Sequence, residues 1–157
     1  MANVYVFLGP PGAGKGTLGE LFCRDSGAIH VSTGQLLRDE MAQGSDLGLQ
    51  VKDLIARGAL VSDDIVAAMV AKRLAQPDSK AHGVLLDGFP RTVPQAEMLS
   101  TILAKSGDAM AAVLLIEADD AMLMGRLTSR RMCPNKQCEA IYNVQTNPPR
   151  QEGICDR

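Results

Sequence analysis

Residues 8–17 read LGPPGAGKGT and follow a short apolar run at residues 4–8. Four of these ten residues are glycines, whose backbones take angles closed to other residues and can approach a bound group closely. Beyond the segment, Leu18, Leu21 and Phe22 recur at helical spacing. The sequence therefore predicts a loop between a buried strand and the N-terminus of a helix, where backbone N–H groups and the helix dipole attract an anion.

Lys15 and its neighbours give this loop the chemistry of a phosphate site. The segment resembles the phosphate-binding pattern G-x-x-x-x-G-K-[ST], with Gly9, Gly14 and Lys15 in place. Gly16 occupies the Ser/Thr position, and the hydroxyl that could meet a metal ion comes one residue later, at Thr17. The alternative is a glycine-rich turn without a ligand. A lysine among glycines, between a strand and a helix, favours a loop that holds phosphate.

The composition is that of an ordinary globular protein and limits the kinds of partner. The chain has 157 residues, 46% hydrophobic and 22% charged, which fits one domain with a substantial core. Its net charge of −2 argues against a broad basic surface for nucleic acid. The N-terminus has no basic segment before its apolar run, and no apolar stretch has the length of a bilayer span. We expect a cytoplasmic monomer without nucleic-acid or membrane partners.

Four apolar runs alternate with helical patterns along the chain. They cover residues 4–8, residues 28–31, the start of GVLLDGFPR at 83–91, and AAVLLIE at 111–117. Near-continuous apolar strands separated by helices predict an α/β fold with a parallel sheet covered by helices on both faces. Ligands of such sheets bind at the carboxyl ends of the strands, where the glycine-rich loop and the DGFPR segment both lie.

Residues typical of helix ends divide the chain between these strands. Ser32 and Thr33 are candidate caps of a helix that Gly44 ends, and Ser45 begins the next helix, with Gly58 beyond its end. The remaining predicted helices are one capped by Ser62, one with Pro94 in its first turn, and one from about residue 119 to residue 131.

Three further stretches complete the pattern: STGQLLR at 32–38, DGFPRTVPQAE at 87–97 and GRLTSRR at 125–131. Together with the loop they resemble adenylate kinases, in content and in order, over essentially the whole chain. The resemblance implies the architecture of P-loop nucleoside monophosphate kinases and the reaction ATP + AMP ⇌ 2 ADP with Mg²⁺. Its parts would be a core of residues 1–31 and 62–126, a helical AMP-binding insertion of residues 32–61, and the first part of a lid at residues 127–157.

The resemblance also implies which residues bind ATP and act in the transfer. Lys15 would follow the transferred phosphoryl group, and Asp87 would hold Mg²⁺ through water. Arg126 and Arg130 lie four residues apart, hence on one face of the predicted helix, and resemble the family's arginines for ATP and for the transferring phosphate. The implied catalytic residues are Lys15, Arg91, Arg126 and Arg130. The implied ATP-binding residues are Gly12, Ala13, Gly14, Lys15, Gly16, Thr17, Arg126, Arg130, Ile141 and Tyr142.

A second set of residues would bind AMP. Gln95 would pair with the adenine edge, and Arg38 and Arg91 would grip the phosphate bidentately. Phe89–Pro90 resembles a cis peptide bond of the family. Each residue taken singly has a structural alternative: a helix cap, a helix-surface glutamine, or arginines in surface ion pairs or on a solvated helix face. The implied AMP-binding residues are Thr33, Arg38, Ala59, Leu60, Val61, Gly88, Phe89, Pro90, Arg91 and Gln95.

Three of the four cysteines, Cys133, Cys138 and Cys155, crowd the last part of the chain, whereas Cys23 is expected as a small buried thiol of the first helix. In a reducing cytosol such a cluster suggests a metal more than disulfides. The stretches CPNKQCEAIYN and EGICDR resemble the zinc-bearing lid of many bacterial adenylate kinases, although the commoner spacing there is C-x2-C. Thiolates in this number favour structural Zn²⁺, or iron, and the alternative is three free thiols.

The chain stops at Arg157, whereas the family continues with the rest of the lid, two more arginines, another strand and closing helices. Tetrahedral zinc takes four ligands, so a molecule that ends here should bind metal weakly, have a disordered lid and catalyse poorly. Two other functions stay open. One is a UMP/CMP-type kinase, although Gln95 and the absence of an asparagine after GFPR speak against it. The other is a nucleotide-binding fragment without activity, or a zinc-ribbon interaction module.

Overall fold

The computed structural model describes residues 1–57, 59–135, 138 and 140–157. They form two compact units, Met1–Gly9 with Lys15–Ile116, and Pro10–Gly14 with Glu117–Arg157. Within the described ranges, every helix falls short of the length and apolar character that crossing a membrane requires. In chain order the elements are β1 (Asn3–Leu8), α1 (Lys15–Ser26), β2 (Ile29–Ser32), α2 (Thr33–Gln43), α3 (Asp46–Ala56), α4 (Asp63–Leu74), α5 (Pro77–His82), β3 (Val84–Asp87), α6 (Val93–Ser106), β4 (Ala109–Leu115), α7 (Asp120–Ser129), β5 (Arg130–Met132) and β6 (Ile141–Asn143).

The first unit is built on a four-stranded sheet in the order β2-β3-β1-β4. Every pair in it is parallel: Val4 of β1 lies opposite Val84 of β3, and Val84 lies opposite Ile29 of β2. On the other side of β1, Leu8 lies opposite Leu115 of β4. Parallel neighbours require crossover connections, and helices supply them here. The predicted α/β fold with a parallel sheet is confirmed.

Alternate residues of β1 point to opposite faces of the sheet, as the period of a strand requires. Val6 belongs to a buried apolar cluster that includes Leu99 of α6. On the other face, the rings of Tyr5 and Phe7 lie 4.9 and 5.9 Å from the ring of Phe22 in α1. Helices therefore cover both faces at the centre of the sheet, as predicted.

Burial falls off at the strand that ends the sheet. In β3 the side chains of Val84, Leu85 and Leu86 are fully enclosed, which matches its continuous apolar run. In β4, by contrast, Val113 is 53% exposed and Leu115 is 63% exposed. Within the described part of the chain, β4 pairs with β1 alone. The run of apolar residues thus predicted strand β4 but not how far its side chains are buried.

The helix ends predicted between residues 32 and 62 are where the structure has them. Ser32 and Ser45 each accept a hydrogen bond from a backbone N–H in the first turn of the helix that follows, and Gly44 ends α2 in the left-handed conformation. Ser62 stands at the N-cap position of α4 without a side-chain capping bond. The predicted end at Gly58 lies outside the described residues.

Helices α2 and α3 pack backbone against backbone. Gly48 of α3 lies so close to the carbonyl group of Glu40 in α2 that a Cβ atom would not fit between them. The Glu40 carboxylate accepts hydrogen bonds from Ser45 and, at 2.7 and 3.0 Å, from the ammonium group of Lys72 in α4. The bond from Lys72, supported by that from Ser45, lowers the pKa of the Glu40 carboxyl. A charge network that is buried at Glu40 and partly exposed at Lys72 thus joins α2, α3 and α4.

In the second unit, α7 ends earlier than predicted. Its last residue is Ser129, and Arg130 has an extended backbone with φ −68° and ψ 134°. Arg130 and Arg131 instead form β5, where Arg130 lies opposite Asn143 of the antiparallel strand β6. The Arg131 guanidinium donates to the Thr128 carbonyl oxygen at 2.9 Å, so it satisfies part of the helix end. The prediction that Arg126 and Arg130 share one helical face is therefore wrong.

Candidate active site

The glycine-rich loop connects β1 to α1, as the sequence predicts. Lys15 begins α1, and its ammonium group donates to the carbonyl oxygen of Gly9 at 2.8 Å. Gly9 has a φ of 140°, and a Cβ atom there would collide with the carbonyl oxygen of Ile116, just after β4. Only glycine meets both conditions, because L residues rarely adopt this φ and the neighbouring backbone leaves no room. Gly9, directly after β1, thus sets the backbone direction at the start of the loop and accepts a hydrogen bond from Lys15.

Asp87 is the last residue of β3, which neighbours β1 in the sheet. Its side chain approaches the N-terminal end of α1. Its Oδ2 atom lies 3.9 Å from the position that a Cβ atom on Gly16 would take. Nε2 of His30, a buried atom on β2, lies 3.4 Å from that oxygen. A carboxylate oxygen beside the start of α1 is the kind of ligand that Mg²⁺ prefers. The contact of His30 could not be predicted from the sequence, because an isolated histidine in a strand carries no motif.

Within the second unit, Arg126 contacts the other part of the loop. Its Nη1 atom donates to the carbonyl oxygens of Gly12 and Ala13, at 3.2 Å each. The same nitrogen lies 3.7 Å from where a Cβ atom on Gly14 would be. An arginine is thereby held against three residues of the predicted phosphate-binding loop. Arg130 does not share this helical face, as described above.

Another cluster forms around the turn after β3. The guanidinium of Arg91 donates from Nε to the Gly88 carbonyl oxygen at 2.7 Å and from Nη2 to the Thr33 hydroxyl at 3.5 Å. The Thr33 hydroxyl in turn donates to the Gly88 carbonyl oxygen at 3.4 Å. The peptide bond Phe89–Pro90 is cis, as the resemblance implied. The structure therefore gathers the start of α2 and the DGFPR turn at one place.

Gln95 lies in the first turn of α6 beside this cluster, and its residue is only 8% exposed. Its Oε1 atom accepts the backbone N–H of Arg91 at 2.7 Å, and its Nε2 atom donates to Oδ1 of Asp63 at 2.7 Å. The alternative of a helix-surface glutamine is therefore wrong. Asp63 is a partner that the sequence did not reveal, since an acidic residue in the first turn of α4 is explained by the helix dipole alone.

The remaining residues of the predicted AMP set lie on α2 and in the segment after α3. Arg38 donates from Nη2 to Oε1 of Gln35, three residues earlier on the same helix, at 2.8 Å. The backbone N–H of Ala59 donates to the Leu54 carbonyl oxygen at 2.9 Å. Leu60, next in the chain, is 94% exposed. The structure thus leaves the side chain of Leu60 accessible rather than packed in the core.

The three cysteines near the end of the chain converge in the second unit. The sulfur atoms of Cys133, Cys138 and Cys155 all lie within 4.8 Å of one another, and Cys138 and Cys155 are 3.5 Å apart. Tetrahedral zinc with bonds of about 2.3 Å separates its sulfur ligands by roughly 3.8 Å, so the three thiols fit a metal ion. The hydrogen bond from the Tyr142 hydroxyl, 3.3 Å away, lowers the pKa of the Cys155 thiol to about 7. A lower pKa favours the thiolate that a metal requires.

The fourth cysteine, Cys23, lies on α1 in the first unit. It is half-buried, and burial raises the pKa of its thiol. The thiol expected to be buried in the first helix is therefore only partly buried.

Comparison with known proteins assigns the chain to a family. The sequence profile of one family, adenylate kinase, matches residues 7–155, nearly the whole chain. The chain belongs to the adenylate kinase family. An adenylate kinase of Kosmotoga olearia is 48% identical over 151 residues, 96% of this chain and 69% of the relative. The adenylate kinase of an Anaeromyxobacter species is 46% identical over 154 residues, 98% and 71% of the two chains, and that of Carboxydothermus hydrogenoformans is 48% identical over 151 residues, 96% and 69%.

Membership in the adenylate kinase family confirms the resemblance drawn from the loop, the DGFPR turn and the GRLTSRR segment. The chain spans a little more than two thirds of the length of these adenylate kinases, at 69–71%. Among the residues that the resemblance singled out, the structure joins Thr33, Gly88, Arg91 and Gln95 in one hydrogen-bonded cluster.

Proposed function

We propose that this member of the adenylate kinase family transfers the terminal phosphoryl group of ATP to AMP and forms two ADP. The observation that carries the proposal is its 46–48% identity to relatives named adenylate kinase, over nearly its whole length. Such a transfer needs little covalent assistance from the protein. It needs the two nucleotides held in line and the negative charge neutralised.

The glycine-rich loop binds the phosphates of ATP in this proposal. Backbone N–H groups of Gly12–Thr17 surround the phosphates, and the Lys15 ammonium moves from the Gly9 carbonyl to the transferred group. Arg126, already held against the loop, adds positive charge. Arg130, although it is extended rather than helical, keeps its proposed role at the transferring phosphate. Ile141 and Tyr142 on β6 pack against the adenine of ATP.

AMP is bound by the cluster around Gly88–Arg91 in this proposal. The Arg91 guanidinium forms a two-pronged contact with the AMP phosphate together with Arg38, and Gln95 contacts the base. Thr33 and the segment Ala59–Val61 complete the set. The hydrogen bonds of Arg91 to Gly88 and Thr33 support the proposal, because they fix the guanidinium before any ligand binds.

Two metals complete the proposed chemistry. Mg²⁺, held through water by Asp87, would neutralise charge on the phosphates of ATP. Zn²⁺, or iron, would be held by Cys133, Cys138 and Cys155 and would stabilise the folded second unit rather than take part in transfer. The fit of the three sulfur atoms to metal geometry supports this assignment.

We propose the same domain organisation as the resemblance implies. Residues 1–31 and 62–126 form the core, residues 32–61 bind AMP, and residues 127–157 belong to the lid. The substrates ATP, AMP and ADP are its partners, the enzyme acts as a monomer, and nucleic acid is not bound. The net charge of −2 supports the last point.

A panel of acceptors tests the proposed function. The full chain would be mixed with MgATP and either AMP, CMP, UMP or GMP, and the nucleoside diphosphates formed would be separated and counted. We expect the highest kcat/KM for AMP and no turnover when EDTA removes Mg²⁺. Equal kcat/KM for CMP and AMP would instead indicate a UMP/CMP-type kinase.

A further inference from the structure

The side-chain amide of Gln95 is fixed in one orientation by two partners of opposite kind. A backbone N–H can only donate, and the one of Arg91 meets Oε1 at 2.7 Å. An ionised carboxylate can only accept, and that of Asp63 meets Nε2 at 2.7 Å. Turning the amide over would place two donors against each other at Arg91 and two acceptors against each other at Asp63. Since Gln95 is 8% exposed, water offers little relief from either conflict.

Each atom of this amide retains further capacity. A glutamine side chain offers two N–H donors and two acceptor positions on its oxygen, and Asp63 and Arg91 use one of each. One N–H donor on Nε2 and one acceptor position on Oε1 therefore remain. The bonds to Asp63 and Arg91 decide on which side of the amide each of them lies. Adenine presents an N6 donor beside a ring-nitrogen acceptor, whereas a 6-oxopurine presents an acceptor oxygen in place of N6.

We propose that Asp63 is a specificity-determining residue that acts through Gln95: by fixing the amide, it makes the site accept a 6-aminopurine and reject a 6-oxopurine. The inference rests on the proposed contact between Gln95 and the AMP base. Asp63 is a positioning residue, because it touches Gln95 and not the base. Without the Asp63 acceptor, turning the amide over meets only the donor conflict at Arg91, so the site rejects a 6-oxopurine less strongly.

Neighbouring residues supply matched variants. Asn at position 63 keeps an oxygen that can accept from Nε2, whereas Leu of similar size has none. Asp64, the next residue in the same turn of α4, is exposed and carries the same charge near the same helix dipole. Asp64→Leu therefore controls for the lost charge and the added methyl groups. Gln95→Leu removes the proposed base contact itself.

The test is the ratio of kcat/KM for AMP to kcat/KM for IMP, measured with MgATP on the full chain and its variants. A ratio within one preparation does not depend on the fraction of folded enzyme, so a destabilised variant still reports. We expect Asp63→Leu to lower the ratio roughly 5- to 100-fold, the range that an unpaired buried polar group commands. Asp63→Asn and Asp64→Leu should leave it within about threefold of the unmodified chain.

The outcomes separate this inference from the proposed function. If Gln95→Leu lowers the ratio and Asp63→Leu does not, the base contact stands and the role of Asp63 is overturned. If Asp63→Asn lowers the ratio as much as Asp63→Leu, charge rather than the acceptor is responsible, which also overturns it. If Gln95→Leu leaves the ratio unchanged, both the base contact and the inference fail.

Discussion

The ammonium nitrogen of Lys15 lies 2.8 Å from the carbonyl oxygen of Gly9, at the opposite end of the same loop. The lysine side chain thus turns back toward the residue that directly follows β1, and its charge is held at that carbonyl group. A neutral side chain of similar length would fill the same space without that charge.

Replacing Lys15 with methionine should abolish phosphoryl transfer without unfolding the protein. We expect kcat to fall by at least roughly 10²- to 10³-fold, as when a preorganised charge at a reacting group is removed. The free energy of unfolding should change by less than about 1 kcal/mol, because the lysine is not part of the core. A coupled assay of ADP formation and urea unfolding measure the two quantities.

Lys105→Met is the control for this change. Lys105 is an exposed lysine in the last turn of α6 and should tolerate the same substitution with kcat intact. Near-normal kcat in Lys15→Met would contradict the proposed role of the loop.

Arg91→Ala should remove phosphoryl transfer by weakening AMP binding. The guanidinium holds the Gly88 carbonyl and the Thr33 hydroxyl, so its loss removes both a phosphate ligand and the order of the cluster. We expect kcat/KM for AMP to fall more than about 100-fold, and Arg91→Lys to recover little, because an ammonium group cannot form the two-pronged contact.

The KM for ATP separates this role from a general loss of structure. It should change little in Arg91→Ala, and the exposed Arg24→Ala should behave like the unmodified chain. A variant in which the KM values for ATP and AMP rise together would rule out a role confined to AMP.

Acid should reveal the contribution of Glu40. Its hydrogen bonds from Lys72 and Ser45 lower the pKa of the folded carboxyl below the ordinary 4.5. A lowered folded pKa stabilises the protein above the unfolded value, and this stabilisation is lost as pH falls through the folded pKa. Glu40→Gln should therefore cost about 1–3 kcal/mol near neutral pH and much less at an acidic pH below the folded pKa of Glu40.

Urea unfolding at the two pH values measures this difference. Glu20→Gln, at an exposed site on α1, is the control and should change the free energy of unfolding little at either pH. A destabilisation by Glu40→Gln that persists unchanged in acid would show that packing, not charge, is responsible.

Removal of one clustered thiol should weaken metal binding. Cys138→Ser replaces a sulfur that lies 3.5 Å from Cys155, and we expect zinc affinity to fall by more than the roughly 10- to 100-fold typical of losing a ligand's supporting partner. Competition with a chromophoric chelator measures the affinity. Cys23→Ser, in the other unit, should leave it unchanged, and equal affinities in all three proteins would exclude the cluster as the site.

Features with short-range causes could be predicted from the sequence. The strand-loop-helix at residues 4–22 and the caps at Ser32, Gly44 and Ser45 depend on local backbone preferences and hydrogen bonds. The parallel strands could be predicted because strands buried on both faces of a sheet are near-continuous apolar runs. The cysteine cluster could be predicted because Cys133, Cys138 and Cys155 lie within one short segment of the chain, a spacing that favours a shared metal ion.

What escaped prediction depends on partners distant in the chain. The end of α7 at Ser129 follows from the pairing of β5 with β6, which helical spacing does not anticipate. The short helix α5 was missed, since its six residues are too few to show a period. The bond between Asp63 and Gln95 joins residues 32 positions apart, and only the packing of α4 and α6 brings them together.

The contact of Gly48 with the backbone of Glu40 has a consequence for motion. The main chains of α2 and α3 touch at this point, and Ser45, between the two helices, is hydrogen-bonded to the same glutamate. These contacts oppose sliding or twisting of one helix against the other. We expect any displacement of Thr33–Ala56 to move the two helices together as one body. Flexing would be confined to the residues beside Ser32 and to those after Ala56, and even an alanine at position 48 would force the helix pair apart.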